Sequence, residues 1–204
     1  MRLIPTSAIA LALLVSACAA SAALIQPDSA AANNEFNNTT FGIGNTIDGS
    51  GLPPNFTPLS PHDDYTFSNH WTTNGNPAVG FIATFTFDVP QPLGAFYMWN
   101  HQSTTPFAQD SNYYVTNFDL ILRDAGDLPL LTLPNLSAGA SATAQTYAFG
   151  PVTGVKAVQF VFNANAGSQY TGLAEVAFEQ VPEPATATLM LAGVLAVMRR
   201  NRRA

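Results

Sequence analysis

The chain has 204 residues, of which 47% are hydrophobic and only 10% are charged, and its formal net charge is −6. Five of the seven basic residues lie at the two ends, so positions 24–181 hold 12 acidic and two basic residues, a local net charge of −10. Without a row of Lys and Arg to neutralise phosphates, this part of the chain is not expected to bind nucleic acid or anionic phospholipid.

The N-terminus has the layout of a secretory signal peptide. Arg2 precedes an apolar run over 8–15, and small residues follow it up to position 23. This run is too short to span a membrane, so we predict a signal peptide over 1–23 that signal peptidase cleaves after Ala22 or Ala23. The alternative is a bacterial lipobox, in which Cys18 is acylated. In both cases the mature domain has no disulfide and no cysteine metal site, because Cys18 is the only cysteine.

Positions 24–180 have the pattern of one all-β domain. Alternating apolar and polar residues, rich in β-branched and aromatic side chains, predict strands over 81–89, 93–99, 114–122, 128–133, 142–149, 155–162 and 173–178. The segment 42–76 is rich in Asn, Pro, Thr and Gly, which predicts loops over one end of the domain. Seven or more strands with short turns favour an antiparallel β-sandwich or a jelly roll.

Aromatic residues in or beside the predicted loops are the main candidates for a binding site. A sugar ring needs a flat apolar face to stack on and short polar groups to bind its hydroxyls. The candidate glycan-binding residues are Trp71, Trp99, His101 and Tyr113. Packing of the two tryptophans in the core or at its rim is the alternative.

Catalytic motifs are weak or absent in the sequence. His62, His70 and His101 are enough ligands for zinc or iron, but they lack the helical i, i+4 spacing of a metalloprotease motif. A glycosidase needs two carboxylates across a cleft, whereas the adjacent Asp63 and Asp64 point to opposite sides of an extended segment. We therefore expect a non-catalytic protein whose domain binds carbohydrate. The alternatives are a hydrolase that acts on polysaccharide and a purely structural matrix component that binds nothing specific.

The C-terminal segment 181–204 combines three features in order. Val181, Pro182, Glu183 and Pro184 come first, and an apolar stretch over 185–198 follows. The chain then ends in a basic cluster formed by Arg199, Arg200, Arg202 and Arg203. A helix over the apolar stretch would be about 21 Å long, shorter than the roughly 30 Å hydrocarbon core. The arginines predict that its C-terminal end is cytoplasmic and that the preceding domain is outside.

This order of features resembles the PEP-CTERM sorting signal of exopolysaccharide-producing Gram-negative bacteria. The resemblance implies an exosortase, an integral membrane cysteine protease and transpeptidase, as a partner that removes the helix near the Pro-Glu-Pro motif. It also implies export through the inner membrane and display at, or release from, the cell surface, with a contribution to the exopolysaccharide or biofilm matrix. An ordinary tail anchor is the alternative.

Four short motifs within 33–180 resemble the discoidin-type, galactose-binding-like jelly roll. They are the segments 45–49, 69–71, 80–89 and 172–178. The resemblance implies ligand loops gathered at one end of the sandwich. It also implies a structural cation, such as Ca²⁺, held by Asp48 and Glu175, and a hard cation of this kind takes six to eight oxygen ligands. The alternative is that Asp48 caps a turn and Glu175 is exposed.

Overall fold

The structure, a computed structural model, describes residues 22–37, 39–75, 80–103 and 112–182. Strands dominate this part of the chain. They are β1 (Ala23–Ile25), β2 (Ser29–Ala32), β3 (Trp71–Thr72), β4 (Phe81–Asn100), β5 (Val115–Arg123), β6 (Pro129–Ser137), β7 (Gln145–Asn165) and β8 (Gly172–Gln180), with a 3-10 turn over Ile43–Thr46. The predicted all-β antiparallel class is confirmed. The predicted signal helix and C-terminal helix lie outside the described residues, and no helix within the described ranges is long and apolar enough to cross a membrane.

β4 and β7 are twice as long as the sequence pattern predicts. The pattern divides each of them into two strands, but the structure keeps each continuous across 20 and 21 residues. The pairing register of β4 shifts between Thr86 and Ala95, and β7 contains Gly150 and Gly154 at φ of 75° and 77°. Glycine tolerates this left-handed conformation, so the breaks in the sequence pattern are bends within a strand rather than ends of strands.

The two bent strands connect both sheets of the sandwich. The first sheet has the strand order β6, β5, second half of β7, first half of β4, β2. In the second sheet, the second half of β4 lies between the first half of β7 and β8. The other edge of β8 pairs with β1 and β3. All of these named strand pairings are antiparallel.

Aromatic side chains fill the space between the sheets. Phe118 of β5 stacks on Phe160 of β7 with ring centroids 4.1 Å apart, and Phe96 of β4 contacts Phe178 of β8 at 5.3 Å. Most of the alternate residues of β4, β5 and the second half of β7 that face this space are buried, whereas Tyr147, Phe149 and Val152 in the first half of β7 are partly buried against it. Burying one such side chain contributes about 1.5–3 kcal/mol, so this core provides most of the stability of the fold.

The sandwich has two distinct ends, which we call the loop pole and the terminal pole. The loop pole contains the ends of β4 and β7, the starts of β5 and β8, and the segment 33–75. The terminal pole contains the start of β1, the end of β8 and the bend of β4 near Pro92. β8 runs from one pole to the other, about 27 Å at roughly 3.4 Å per residue.

The predicted loop segment 42–76 is confirmed over most of 42–75, although it contains the 3-10 turn and the two residues of β3, and residue 76 lies outside the described residues. The short strands β1 and β2 were not predicted. β2 has the sequence Ser-Ala-Ala-Ala, which has little intrinsic strand preference. It is a strand because it pairs with residues 83–86 of β4, a tertiary effect.

Candidate functional site

Asn100, at the end of β4, joins the segments of the loop pole. Its side-chain amide donates to the carbonyl oxygens of Val115 and Gly139, at 2.8 and 3.0 Å. Its side-chain oxygen accepts hydrogen bonds from the backbone N–H groups of Val115 and His101, at 3.0 and 2.9 Å. This fully paired buried amide fixes the direction in which the chain leaves β4 toward His101.

Three histidines that are distant in sequence converge beside Asn100. The ring centroids of His62 and His70 are 4.9 Å apart, and those of His70 and His101 are 5.0 Å apart. All three side chains are buried. Two glycines make room for them, because a Cβ at Gly51 would lie 2.4 Å from the His62 ring and one at Gly172 would lie 2.6 Å from Nδ1 of His101.

The hydrogen bonds of the cluster fix the tautomers of two rings. Nδ1 of His62 lies 2.8 Å from the carbonyl oxygen of Asp63, and Nδ1 of His70 lies 2.7 Å from Oδ1 of Asn69. Both oxygens only accept, so Nδ1 carries the proton in each ring. The Nε2 atoms of these two rings are buried and have no hydrogen-bond partner. Both imidazoles are therefore held in their neutral form.

Burial lowers the pKa of both rings. Loss of hydration is the main cause for His62, and the backbone groups of Asp63 and Ser50, together with the charges of Asp63 and Asp48, only partly oppose it. The pKa of His70 is well below its usual value because of burial and because protonated His101 or His62 would repel a second charge. Tyr65 and Tyr113 are the other titratable side chains that contact the cluster.

The cluster does not have the arrangement of a metal centre. Within the described residues, no group of three or more His, Cys, Asp or Glu side chains is placed to hold a metal ion. The zinc or iron site considered from the three histidines is therefore not supported. We interpret the neutral cluster as a structural element that positions the side chains packed against it, such as Tyr65 and Tyr113.

Aromatic side chains cover the cluster and reach the surface, and we call Phe36, Phe41, Tyr65, Phe67 and Tyr170 the aromatic patch. Tyr65 contacts the rings of the histidine cluster and stacks on Phe41 at 5.6 Å. Phe41 contacts Phe67 and Phe36, each at 5.7 Å, and Phe36 contacts Tyr170 at 5.9 Å. Phe67 and Phe36 are 78% and 48% exposed, which is unusual for neighbouring phenylalanines and marks a candidate binding surface.

The sequence prediction did not include the residues of the aromatic patch. The available signal was a large aromatic residue between polar loop residues, as in Thr66-Phe67-Ser68. Of the predicted glycan-binding residues, His101 and Tyr113 do lie at this pole, and Tyr113 contacts Tyr170 at 5.3 Å. Both are buried beneath the patch, so they support it rather than form its surface.

The two tryptophans have no face available for a sugar. Trp71 is fully buried in the main core, 5.1 Å from Phe162, and its Nε1 donates to the carbonyl oxygen of Asn34. Trp99 is fully buried on the other side of the second sheet, against Phe56, and its Nε1 donates to the carbonyl oxygen of Ser60 at 2.8 Å. Their placement as stacking residues is wrong for this structure, and the core-packing alternative holds.

Glu175 and Asp48 lie near each other beside β8. Glu175 is fully buried rather than exposed, and burial raises its pKa to about 9, with a smaller contribution from the Asp48 charge. Its Oε1 accepts hydrogen bonds from the Gln26 side-chain amide and from the backbone N–H of Gly49. Its Oε2 has no partner. A buried carboxylate oxygen in this condition requires a proton or a cation.

The start of the predicted sorting segment is held against the terminal pole. The backbone N–H of Val181 donates to the carbonyl oxygen of Pro92 at 2.9 Å, and Pro182 follows as the last described residue. Glu183, Pro184 and the cluster Arg199, Arg200, Arg202 and Arg203 lie outside the described residues. Comparison with protein families assigns residues 180–203 to the PEP-CTERM protein-sorting motif.

The chain carries a PEP-CTERM sorting motif. The described domain precedes this motif, and its fold is that of the discoidin-like carbohydrate-binding modules. The family 32 module of NanJ from C. perfringens, solved with galactose, aligns with a TM-score of 0.53 and 13% identity over 74% of this chain and 93% of that one. The lectin domain of lectinolysin, solved with Lewis B antigen, aligns with a TM-score of 0.54 and 13% identity over 76% of this chain and 93% of that one.

A fucose-binding module of Streptococcus pneumoniae is also similar to this PEP-CTERM chain. Its TM-score is 0.51 at 16% identity, over 76% of this chain and 93% of that one. A search of curated proteins found no significant sequence match. At these identities the structural matches establish the fold only.

Proposed function

We propose that this protein is an exported, non-catalytic carbohydrate-binding protein of the bacterial cell surface. The sorting motif supports delivery to the surface, and the fold supports a binding module rather than an enzyme. In this proposal signal peptidase and an exosortase-type protease process the two ends, and the domain binds exopolysaccharide in the matrix outside a Gram-negative cell.

The aromatic patch is the observation that supports carbohydrate binding most directly. Exposed Phe67 and half-exposed Phe36 offer apolar ring faces of the kind that stack on the C–H face of a sugar. The ring contacts below them reach the buried histidine cluster, so these faces are held in place before a ligand arrives. Such preorganisation reduces the entropy that binding costs.

The charges of the domain favour a neutral sugar as its ligand. Arg123 and Lys156 are the only Lys or Arg residues in the described ranges. Arg123 pairs with Ala157, next to Lys156, at the end of β5 opposite to the loop pole, so both lie away from the aromatic patch. Arg123 donates to the carbonyl oxygen of Asp127 and Lys156 donates to that of Asp88. An acidic polysaccharide would meet a domain of like charge with no cation at the patch, which is unfavourable.

The burial of Glu175 argues against it as the acid of a hydrolase. Glu175 has the raised pKa of a general acid, but it is fully buried and cannot reach a glycosidic bond. We propose instead that Glu175 and Asp48 hold a structural cation such as Ca²⁺. The unpaired Oε2 of Glu175 supports this assignment.

A glycan array with a purified chain comprising residues 22–182 tests the proposed function. We expect binding to neutral glycans, and we expect Phe67→Ala to lower affinity at least about tenfold, the loss of about 1.4 kcal/mol of stacking. Val89→Ala is the matched control, since Val89 is a 65% exposed apolar residue elsewhere. Absence of binding with and without Ca²⁺ would leave the purely structural role as the better description.

A further inference from the structure

The residues that immediately precede the Pro-Glu-Pro motif are part of the folded sheet. Gln180 is the last residue of β8, and it pairs with Ala23 of β1 on one side and with Leu93 of β4 on the other. The side-chain amide of Gln180 also donates to Oε1 of Gln91 at 2.6 Å. The end of β8 is therefore bonded from both sides.

Val181 extends this attachment by one more residue. Its backbone N–H donates to the carbonyl oxygen of Pro92, and its side chain lies over Gly94. A Cβ at position 94 would lie 2.4 Å from Cγ2 of Val181, so a larger residue there would force the valine side chain to move. We call Gln91, Pro92 and Gly94, together with the Gln180 and Val181 they hold, the junction clip.

Because of the junction clip, no flexible linker separates the sheet from the Pro-Glu-Pro motif. The Pro-Glu-Pro motif begins at Pro182, directly after Val181, so a protease that acts near Pro182 and Pro184 meets the surface of the domain on the N-terminal side of its cleft. Peptide-binding clefts commonly take the chain as an extended strand and bond to its backbone. The N–H of Val181 cannot serve a protease while Pro92 accepts it.

We propose that the junction clip must open before the membrane protease can process the chain, so that fraying at the end of β8 sets the processing rate. This inference rests on the proposed sorting function and adds its regulation. Only the last residues of β8 need to separate, because Gln180 and Val181 lie at the terminal pole and the core remains packed. When opening is fast relative to cleavage, the rate follows the population of the open form.

Gly94 is a positioning residue in this proposal, because it acts through Val181. Replacing it by alanine introduces a clash at the clip and leaves the loop pole unchanged. An insertion of about six Gly and Ser residues between Gln180 and Val181 opens the clip differently, because it moves the Pro-Glu-Pro motif, with the residues that follow it, away from the sheet. Gly44→Ala is the matched control, since a Cβ there has no atom within 4 Å.

The test is a pulse–chase measurement of the full chain in a host that contains the protease. We expect Gly94→Ala and the insertion each to raise the processing rate at least about fivefold, the effect of a clash of about 1 kcal/mol on an opening equilibrium. Gly44→Ala should leave the rate unchanged, and Gly94→Ala should add nothing in the insertion background. Retained glycan binding would show that the variants are folded.

Each other outcome is decisive. Equal rates for wild type and the insertion, or a slower rate for the insertion, would overturn the junction clip while leaving sorting intact. An unprocessed wild type in the same host would overturn the sorting function and this inference with it. Should Gly94→Ala fail to accumulate, the insertion alone carries the test, because it leaves the sequence of the domain unchanged.

Discussion

The imidazole rings of His62 and His70 lie edge to face at the loop pole, with centroids 4.9 Å apart, and both are buried in their neutral form. Their Nδ1 atoms donate to oxygens next to each ring in sequence, and their Nε2 atoms have no partner. Protonation of either ring would place a charge in a buried, poorly hydrated site beneath the aromatic patch. The pair therefore couples the stability of the loop pole to pH.

Acid should destabilise the domain through these histidines. Their pKa values in the folded state are below the unfolded value of 6.5, so the unfolded chain binds protons first as the pH falls. The contribution of these histidines to the free energy of unfolding is thus fully present above about pH 6.5. Below that pH it falls by up to about 1.4 kcal/mol per pH unit for each histidine. Urea unfolding between pH 5 and 8 measures this slope.

His70→Asn is the matched variant, because an amide can keep the donor to Asn69 but does not titrate. We expect it to lower stability at pH 7.5, since the smaller side chain leaves a cavity. Below pH 6.5 it should lose less stability than wild type. The informative quantity is the difference in the free energy of unfolding between wild type and the variant at each pH. Glu175 changes the stability of both proteins equally, and in the opposite direction to the histidines, so its effect cancels in this difference. Parallel curves would contradict the role of His70.

Glu175 should make the metal-free domain less stable as the pH rises. The folded state keeps its proton up to a pKa of about 9, whereas the unfolded chain releases it near 4.5. Between these values the folded state binds more protons, so stability falls with increasing pH. Glu175→Gln should remove this fall, and it should be more stable than wild type at pH 8 in the presence of EDTA.

Calcium should have the opposite effect if it binds at Glu175 and Asp48. At pH 8 and a concentration about 100 times its Kd, Ca²⁺ would add about 2.7 kcal/mol to the free energy of unfolding of wild type. Glu175→Gln should respond much less, and NaCl of equal ionic strength should have no such effect. No stabilisation of wild type by Ca²⁺ would argue that Glu175 is simply a buried neutral acid.

Gly172→Ala should destabilise the loop pole through His101. The new Cβ would lie 2.6 Å from Nδ1 and 2.9 Å from Cγ of the ring, an overpacking that costs about 1–3 kcal/mol. The same substitution should cost at least about 1 kcal/mol less in a His101→Ala background, which a double-mutant cycle of unfolding energies measures. Gly139→Ala is the control, because its Cβ meets no atom within 4 Å.

Tryptophan emission should report on the core and not on the ligand. Trp71 and Trp99 are the only two tryptophans, and both are fully buried. We expect blue-shifted emission, weak quenching by acrylamide and no change when a glycan saturates the aromatic patch. Strong quenching, or a spectral shift on glycan binding, would show that at least one indole is accessible and would restore it as a stacking candidate.

Much of the architecture could be predicted because it depends on local pattern. The alternation of Phe81, Ala83, Phe85 and Phe87 fixes which side of β4 is buried wherever its partners lie. The pattern could not show that β4 and β7 pass through both sheets, because a Gly or Pro within a run can end a strand or bend it. Pairing with β8 and β5 decided between these outcomes.

The charge, the sorting motif at the C-terminus and the antiparallel β class could all be read from the residues alone, because composition, short motifs and short-range periodicity carry them. The site, in contrast, depends on how the chain folds. The tertiary structure buried Trp71 and Trp99, assembled His62, His70 and His101, and left Phe67 exposed, since each outcome depends on segments that are far apart in the chain. It also placed Gln180 between Ala23 and Leu93, where long-range strand pairing holds the chain up to the edge of its sorting motif.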